Sequence, residues 1–300
     1  MRIHVKLLIL LLLIALLPLV LLSVRGQRAT EAFGLAIADQ GHAVISAEIE
    51  TRLQQTVAYA SAIISAQQRH VETAVRFQAA EAERRLAEPT PQGDTPIYRD
   101  TDFASPATYP PGTELALDHV RSAADGTKNA VPISRTHQSF YLAGRDPAQP
   151  ATDEFPPAIL DEARRLSGMD EIYRRLSDTA PGLYYWQVVS LQDGLHSVFP
   201  GHGGYPPGFD PRVRGWYQAA LRAGGFTWAP PTIDVSTHRL LLNAAMPLHG
   251  PDGSVIGVTG IDMDILARLT KIEGDLGLGG EAASYIVRIA DANGDAPPAN

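Results

Sequence analysis

None of the 300 residues is a cysteine. Disulfides and thiolate metal sites are therefore excluded, and the redox compartment stays open. Proline is missing from one long run, with none between Pro18 and Pro89. Positive charge is also scarce. The formal net charge is -8, yet residues 1–28 hold four basic side chains (Arg2, Lys6, Arg25, Arg28) and no acid. The remainder carries 21 Lys and Arg against 33 Asp and Glu, a net of -12. A body that acidic repels phosphate backbones, so nucleic acid is not an expected partner. Apolar residues are plentiful at 45%, enough to pack one large domain or two modest ones.

The longest apolar run is Leu7 to Val24, 18 residues without a charge. That is close to the minimum needed to cross about 30 Å of hydrocarbon. A cleaved signal peptide has a shorter apolar region and a small-x-small site, which "LLSVRGQRA" supplies poorly. A retained, single-pass signal anchor is the better reading. Residues 1–6 then lie in the cytoplasm, held there by Arg2 and Lys6, and residues after about 28 lie outside it. Arg25 and Arg28 on the far flank weaken this orientation rule.

Residues 25–88 read as one long stalk helix, about 96 Å if unbroken at 1.5 Å per residue. Gly34 and Gly41 are places where it can bend. Ile37, Val44, Ile49, Leu53, Val57, Ile64 and Val71 form a ragged apolar stripe suited to a globular body and to a second copy of the helix. A homodimer is therefore expected. Six prolines between Pro89 and Gly112 enforce an irregular connection, followed by a helical stretch around 113–123. "AILDEARRLSGMDEIYRRLSD" reads as an amphipathic helix broken near Gly168. Beyond Pro181 the period becomes two. "YYWQVVSL" and "LHSVFP" flank "QDG", and "HRLLLNAAMPL" and "SVIGVTGIDMDI" flank "HGPDG", which are two hairpin signatures. The expected body, residues 89–270, is α+β: about five antiparallel strands with helices packed on them. Residues 271–300 read as the start of a further module.

The chemistry concentrates in "FDPRVRGWYQAAL", residues 209–221. A guanidinium grips a carboxylate with two parallel hydrogen bonds, and an adjacent indole shields that grip from water. Tyr217 adds a hydroxyl and an aromatic face. Asp234 in "WAPPTIDVST" and Asp262 in "GVTGIDMD" are candidates to meet an ammonium. Asp262 stands on the strand face shared with Ile256, Val258 and Gly260. Each of these residues also has a structural alternative. Arg212 or Arg214 can pair with Asp210, Trp216 can be core, and Asp234 can cap the Ser-Thr turn that follows it. Asp262 can cap the next helix, although Asp264 is the stronger cap candidate.

These motifs in order ("FDPRVRGWYQAAL", "WAPPTIDVST", "GSVIGVTGIDMDI") resemble the membrane-distal module of double Cache sensors, the extracytoplasmic domains of bacterial transmembrane receptors. The likeness covers residues 7–295 in layout and about 184–265 in specific motifs. It implies a PAS-like sheet that binds an amine, amino acid or small carboxylate in the periplasm and signals across the inner membrane through the long helix. It also implies that Arg214 and Trp216 hold a ligand carboxylate, Tyr217 lines the pocket, and Asp234 and Asp262 take an amino group. The chain departs from the amino-acid-binding pattern at Phe209 and Thr232, where tyrosines are usual; Tyr205 is placed to compensate for one of them. "WQVVSLQDGLHSVFPGHGGYP" further resembles sensor regions of SpoIIE-type serine phosphatases, but no phosphatase residues are present.

An enzyme is the rival class. There is no G-x-S-x-G, P-loop, H-E-x-x-H or post-strand G-x-G-x-x-G. Asp234 and Asp262 could pair as in a hydrolase of glycosides, but a nearby arginine would spoil the general acid. His196 and His202 lack an obvious third ligand, so neither a metal nor a cofactor is expected. A ligand-free structural dimerisation domain is the third class.

Overall fold

The computed structural model describes residues 3–89, 95–122, 126–144 and 155–275. The apparent further module after residue 275 lies outside the described residues. The chain divides into two compact units, with the division between Ile63 and Ile64 in the sequence.

Helix α1, Ile3–Ala87, runs without interruption through Pro18, so the stretches expected as anchor and stalk form one element. In the first unit its apolar side chains, including Ile37, Val44, Ile49, Leu53 and Val57, are exposed. Its N-terminal part is long and apolar enough to cross a membrane by length and composition.

The second unit is α+β. The end of α1 packs there through Val71, Ala74, Val75, Gln78, Ala79 and Ala82, all buried. Spacings of three and four put these residues on one face of a helix with 3.6 residues per turn. Each large apolar side chain buried in that row contributes about 1.5–3 kcal/mol.

Strands β1 (Thr113–Ser122), β2 (Lys128–Ser134), β3 (Ser139–Leu142), β4 (Trp186–Leu191), β5 (Leu195–Phe199), β6 (Gly201–His202), β7 (Thr227–Ile233), β8 (Leu240–His249) and β9 (Val255–Asp264) build two antiparallel sheets. One has three strands in the order β1-β2-β6, and the other six in the order β3-β5-β4-β9-β8-β7. The described strands thus outnumber the five expected. The helix expected around 113–123 is strand β1, paired with β2 from Thr113↔Ser134 to Ser122↔Lys128. Its helix-forming residues yield to that ladder, since tertiary pairing overrides local propensity.

Both expected hairpins form, β4–β5 and β8–β9. In the first, Leu195 N–H donates to Asp193 Oδ1 at 3.0 Å and Gly194 takes φ 102°. An L side chain rarely adopts that value. The amphipathic helix breaks at Gly168 into α2 (Pro157–Ser167) and α3 (Met169–Thr179). Helix α4 (Gly215–Ala223) follows the arginine pair, and α5 (Ile265–Asp275) follows β9.

Alternation along the strands splits the core. Val189, Leu191 and Leu195 face α2 and α3, whereas Trp186, Val188 and Val258 face α4 and the small sheet. A register shift between β8 and β9 at Leu248/His249 inverts this alternation at the start of β9. Ile256 consequently packs with the helix-side cluster and not on the face of Val258, correcting the expected shared face.

Candidate functional site

The two arginines separate at once. Asp210 accepts from Arg212 N–H at 2.9 Å, closing the short turn Pro211–Val213. The Arg212 guanidinium folds back on the same carboxylate, with Nη2 2.7 Å from Oδ2, while Nη1 donates to the Gln192 carbonyl at 2.9 Å. This arginine is structural. Arg214, in extended conformation at the N-cap of α4, points instead into a cavity. Its Nη2 donates to the Ile233 carbonyl at 2.9 Å, and it makes no ion pair among the described residues.

The cavity has a volume of about 40 Å³, and its lining includes Arg214, Trp216, Asp234, Asp262, Phe209, Thr232 and Tyr205. Seven of the eight residues expected at a site thus come together. Tyr217 does not. It is buried one position along α4, and successive helical residues diverge by about 100°. Trp216 takes the cavity side and Tyr217 packs away from it, near Arg212 and Asp210, which modulate its raised phenol pKa; burial is the main cause.

Asp234 caps its turn as well as lining the cavity. Its Oδ2 accepts from Thr237 N–H at 2.8 Å and from Thr237 Oγ1 at 2.6 Å. Asp262 belongs to a relay across three strands. Thr232 Oγ1 donates to Asn243 Oδ1 at 2.9 Å, and Asn243 Nδ2 donates to Asp262 Oδ1 at 2.6 Å. The ladder pairs Asn243 with Asp262 directly, and Trp186 with Asp262 on the other side. Burial lifts the Asp262 carboxyl to about 7. The bond from Asn243 opposes that rise, the charge of Asp234 adds to it, and Arg214 opposes it.

The remaining wall is aromatic. Tyr205 stacks on Phe209 with centroids 4.8 Å apart and planes 10° from parallel, and meets His202 at 5.1 Å and His196 at 5.7 Å. Trp186 lies 4.2 Å from His202. His202 Nδ1 is 3.0 Å from the Gly203 carbonyl, which can only accept, so Nδ1 carries the proton and Nε2 offers its lone pair. Gly203 permits this arrangement because a Cβ there would collide with the Asp100 carbonyl oxygen. Burial holds both histidines well below their usual range, His196 at about 3. Tyr205 is driven well above its own, again by burial. The wall is therefore uncharged, and the charge of the cavity resides in Arg214, Asp234 and Asp262.

Trp186, His196, His202, Ser236 and Asn243 line the cavity without having been singled out as ligand residues. Asn243 had a readable signal, as the lone amide in the apolar run "LLLNAAM". Trp186 Nε1 and Ser236 Oγ are buried without a hydrogen-bond partner among the described residues. Groups of that kind ordinarily find a partner, and Gln78 Oε1, Gln138 Oε1 and Tyr173 OH away from the cavity share the condition.

No protein-family model matches the chain. Among curated proteins it is 35% identical over 104 residues to the methyl-accepting chemotaxis protein PctB of Pseudomonas aeruginosa, covering 35% of this chain and 16% of PctB. It is 34% identical over 95 residues to McpG of Pseudomonas putida, covering 32% and 14%. The matched stretches thus span less than a fifth of those receptors. Among solved structures, the ligand-binding domain of PctB from Pseudomonas aeruginosa in complex with L-Gln matches at 30% identity, over 34% of this chain and 42% of that one, with a TM-score of 0.29. A superposition at that score carries no argument, and the sequence similarity stands alone. Over about a third of its length the chain is similar to bacterial methyl-accepting chemotaxis proteins, in keeping with the double Cache sensor resemblance of its motifs.

Proposed function

We propose that the chain is the extracytoplasmic sensor portion of a membrane-anchored signalling receptor, and that it binds a small amine, amino acid or carboxylate without turning it over. The observation that carries this reading is the Arg214 guanidinium, with no ion pair among the described residues, in one cavity with Asp234 and Asp262. The similarity to chemotaxis proteins supports a receptor role. The apolar N-terminal part of α1 supports an inner-membrane anchor, and its exposed apolar side chains support a homodimer. Ligand closing on the cavity would bias the position of α1 through different affinities for two arrangements.

The test is a thermal denaturation screen of the full chain in detergent against small amines, amino acids and carboxylates. A ligand at 100 times its Kd stabilises by about 2.7 kcal/mol. Arg214→Ala should abolish the shift while changing intrinsic stability by less than about 1.5 kcal/mol, since only one bond to a carbonyl is lost. Arg212→Ala should do the reverse, costing stability through its Asp210 and Gln192 bonds and sparing the ligand. No shift with any compound in the panel would sink the reading.

A further inference from the structure

Resting on that ligand-binding reading, we infer that Arg121, which does not itself line the cavity, is a positioning residue of the site. Its guanidinium clasps the two segments that form the cavity rim and aims Asp234 through one peptide group.

The two rim segments are distant in the chain. The loop after β6 brings Tyr205 and Phe209 to the cavity, and the turn after β7 brings Asp234, Val235 and Ser236. Arg121, paired with Asn129 in the β1–β2 ladder, bonds to both. Its Nε donates to the Ser236 carbonyl at 2.6 Å and its Nη2 to the Gly204 carbonyl at 3.1 Å. A guanidinium holds its donors in one rigid plane, so the two bonds fix the separation of the segments as well as the place of each.

Strand β1 is shaped for this task. Its ladder is irregular between Ala116 and Val120, and Ala116 and His119 are both buried although strict alternation would put them on opposite faces. The irregularity places Arg121 on the face of His119, whose ring lies 4.6 Å from that of Trp186 in the cavity wall. In a regular strand Arg121 would face the other way. The acceptor is fitted too. Gly204 has φ 83°, and a Cβ there would lie 3.0 Å from Arg121 Nη2.

The link to Asp234 follows from covalent geometry. The Ser236 carbonyl and the Thr237 N–H belong to one planar trans peptide and point in opposite directions. Arg121 holds the carbonyl end. At the other end Asp234 Oδ2 accepts from Thr237 N–H at 2.8 Å, and it also accepts from Thr237 Oγ1 at 2.6 Å. A guanidinium on one side and a carboxylate on the other make both bonds of the stronger, charge-assisted kind. Without Arg121 that peptide can swing and carry the partner of Asp234 with it. The second arm restrains the peptide leading into Tyr205, whose ring stacks on Phe209.

Hydrogen exchange and calorimetry on the full chain in detergent test the assignment. In Arg121→Ala the amides of segments 203–209 and 234–239 should exchange about tenfold faster, since each loses a charge-assisted bond. Amides of the β8–β9 ladder should keep the parent rate. Arg121→Lys supplies a point charge without the fork and should protect one segment at most. Ethylamine, glycine and acetate are then titrated, one probe for each class in the proposed function. Whichever binds the parent should bind Arg121→Ala about tenfold more weakly, a loss comparable to that of an outer partner behind a metal ligand.

Unchanged exchange in either segment, or full protection of both by lysine, would overturn the clasp. Equal acceleration in the ladder would make Arg121 a general support of the fold and overturn the assignment as well. Faster rim exchange with affinity within about twofold of the parent would remove the positioning role and leave the ligand-binding reading intact. If none of the three probes binds the parent, the ligand-binding reading falls and the positioning role with it, whereas exchange alone still decides whether Arg121 ties the rim.

Discussion

Arg212 and Arg214 stand two residues apart, and the turn between them decides their fates. The first is consumed by its own local cap, whereas the second is carried across the N-terminus of α4 into the cavity. A second buried acid shows the same dependence on setting. Asp170, in the first turn of α3, accepts from Gln138 N–H at 2.7 Å and lies 3.3 Å from His137 Nδ1. Burial lifts its carboxyl to about 7, against the bond from Gln138 and the attraction of Arg174. The folded state therefore holds a proton that the unfolded state releases near pH 4. The contribution of Asp170 to stability is fully present below about pH 4 and is lost as pH rises to about 7. His137, lowered by burial and by Arg174, acts in the opposite direction. Asp170→Asn should abolish the Asp170 loss, making the variant more stable than the parent at pH 8, by at most about 4 kcal/mol, and nearly equal at pH 4. Urea denaturation at the two pH values measures this; equal differences at both would refute the assignment. At this scale, the residues readable in sequence were those that break their local pattern, such as Arg214 beside Trp216, or Asp262 among small apolar neighbours. Tyr217 was misassigned because adjacent helical residues face different ways. Trp186 and His202 were missed because buried strand residues show no pattern that separates a cavity wall from core.

The element that joins the site to α1 is the strand pair β4–β9. Gln78, wholly buried on α1, donates from Nε2 to the carbonyls of Val188, at 3.0 Å, and Gly260, at 3.2 Å. Those two residues are ladder partners. Two positions along the same strands stand Trp186 and Asp262, on the cavity. Under the proposed sensor function, a ligand-driven shift of that ladder end would reach α1 through this polar anchor, which is more directional than the surrounding Val and Ala contacts. Gln78→Ala should cost about 1–3 kcal/mol, because buried acceptors lose a donor. Its ligand affinity should stay within about twofold of the parent, since Gln78 does not line the cavity. The diagnostic reading is a loss of ligand-dependent change at α1, followed by a spin label on its exposed face. A label response equal to that of the parent would remove Gln78 from the pathway. Hairpins and the break at Gly168 were legible because turn chemistry is local. Strand β1 was not, because its pairing with β2 lies outside its own sequence.

Across the whole molecule, the apolar face of α1 outruns its cover. Leu53, Val57, Ile64 and Val71 follow at spacings of four and seven, so they share one helical face. Val71 is buried in the second unit, whereas Leu53 is 57% and Val57 66% exposed. An apolar row of that kind, on a helix proposed to lie outside the cytoplasm, suits a second copy of itself. Such a pairing is suggested by the apolar stripe that runs through Leu53 and Val57 in the sequence. The absence of native cysteine makes the test clean, because any introduced thiol is unique. Leu53→Cys and Val57→Cys should each form a disulfide-linked dimer in native membranes under mild oxidation. Gln55→Cys, on the opposite face by helical phase, should remain largely monomeric. Equal crosslinking at all three positions would indicate random collision, and none at any position would remove the dimer. If the row is the dimer seam, the ligand that stabilises the second unit should also change the ratio of crosslinking between positions 53 and 57, because a helix moved along or about its axis alters neighbouring contacts unequally.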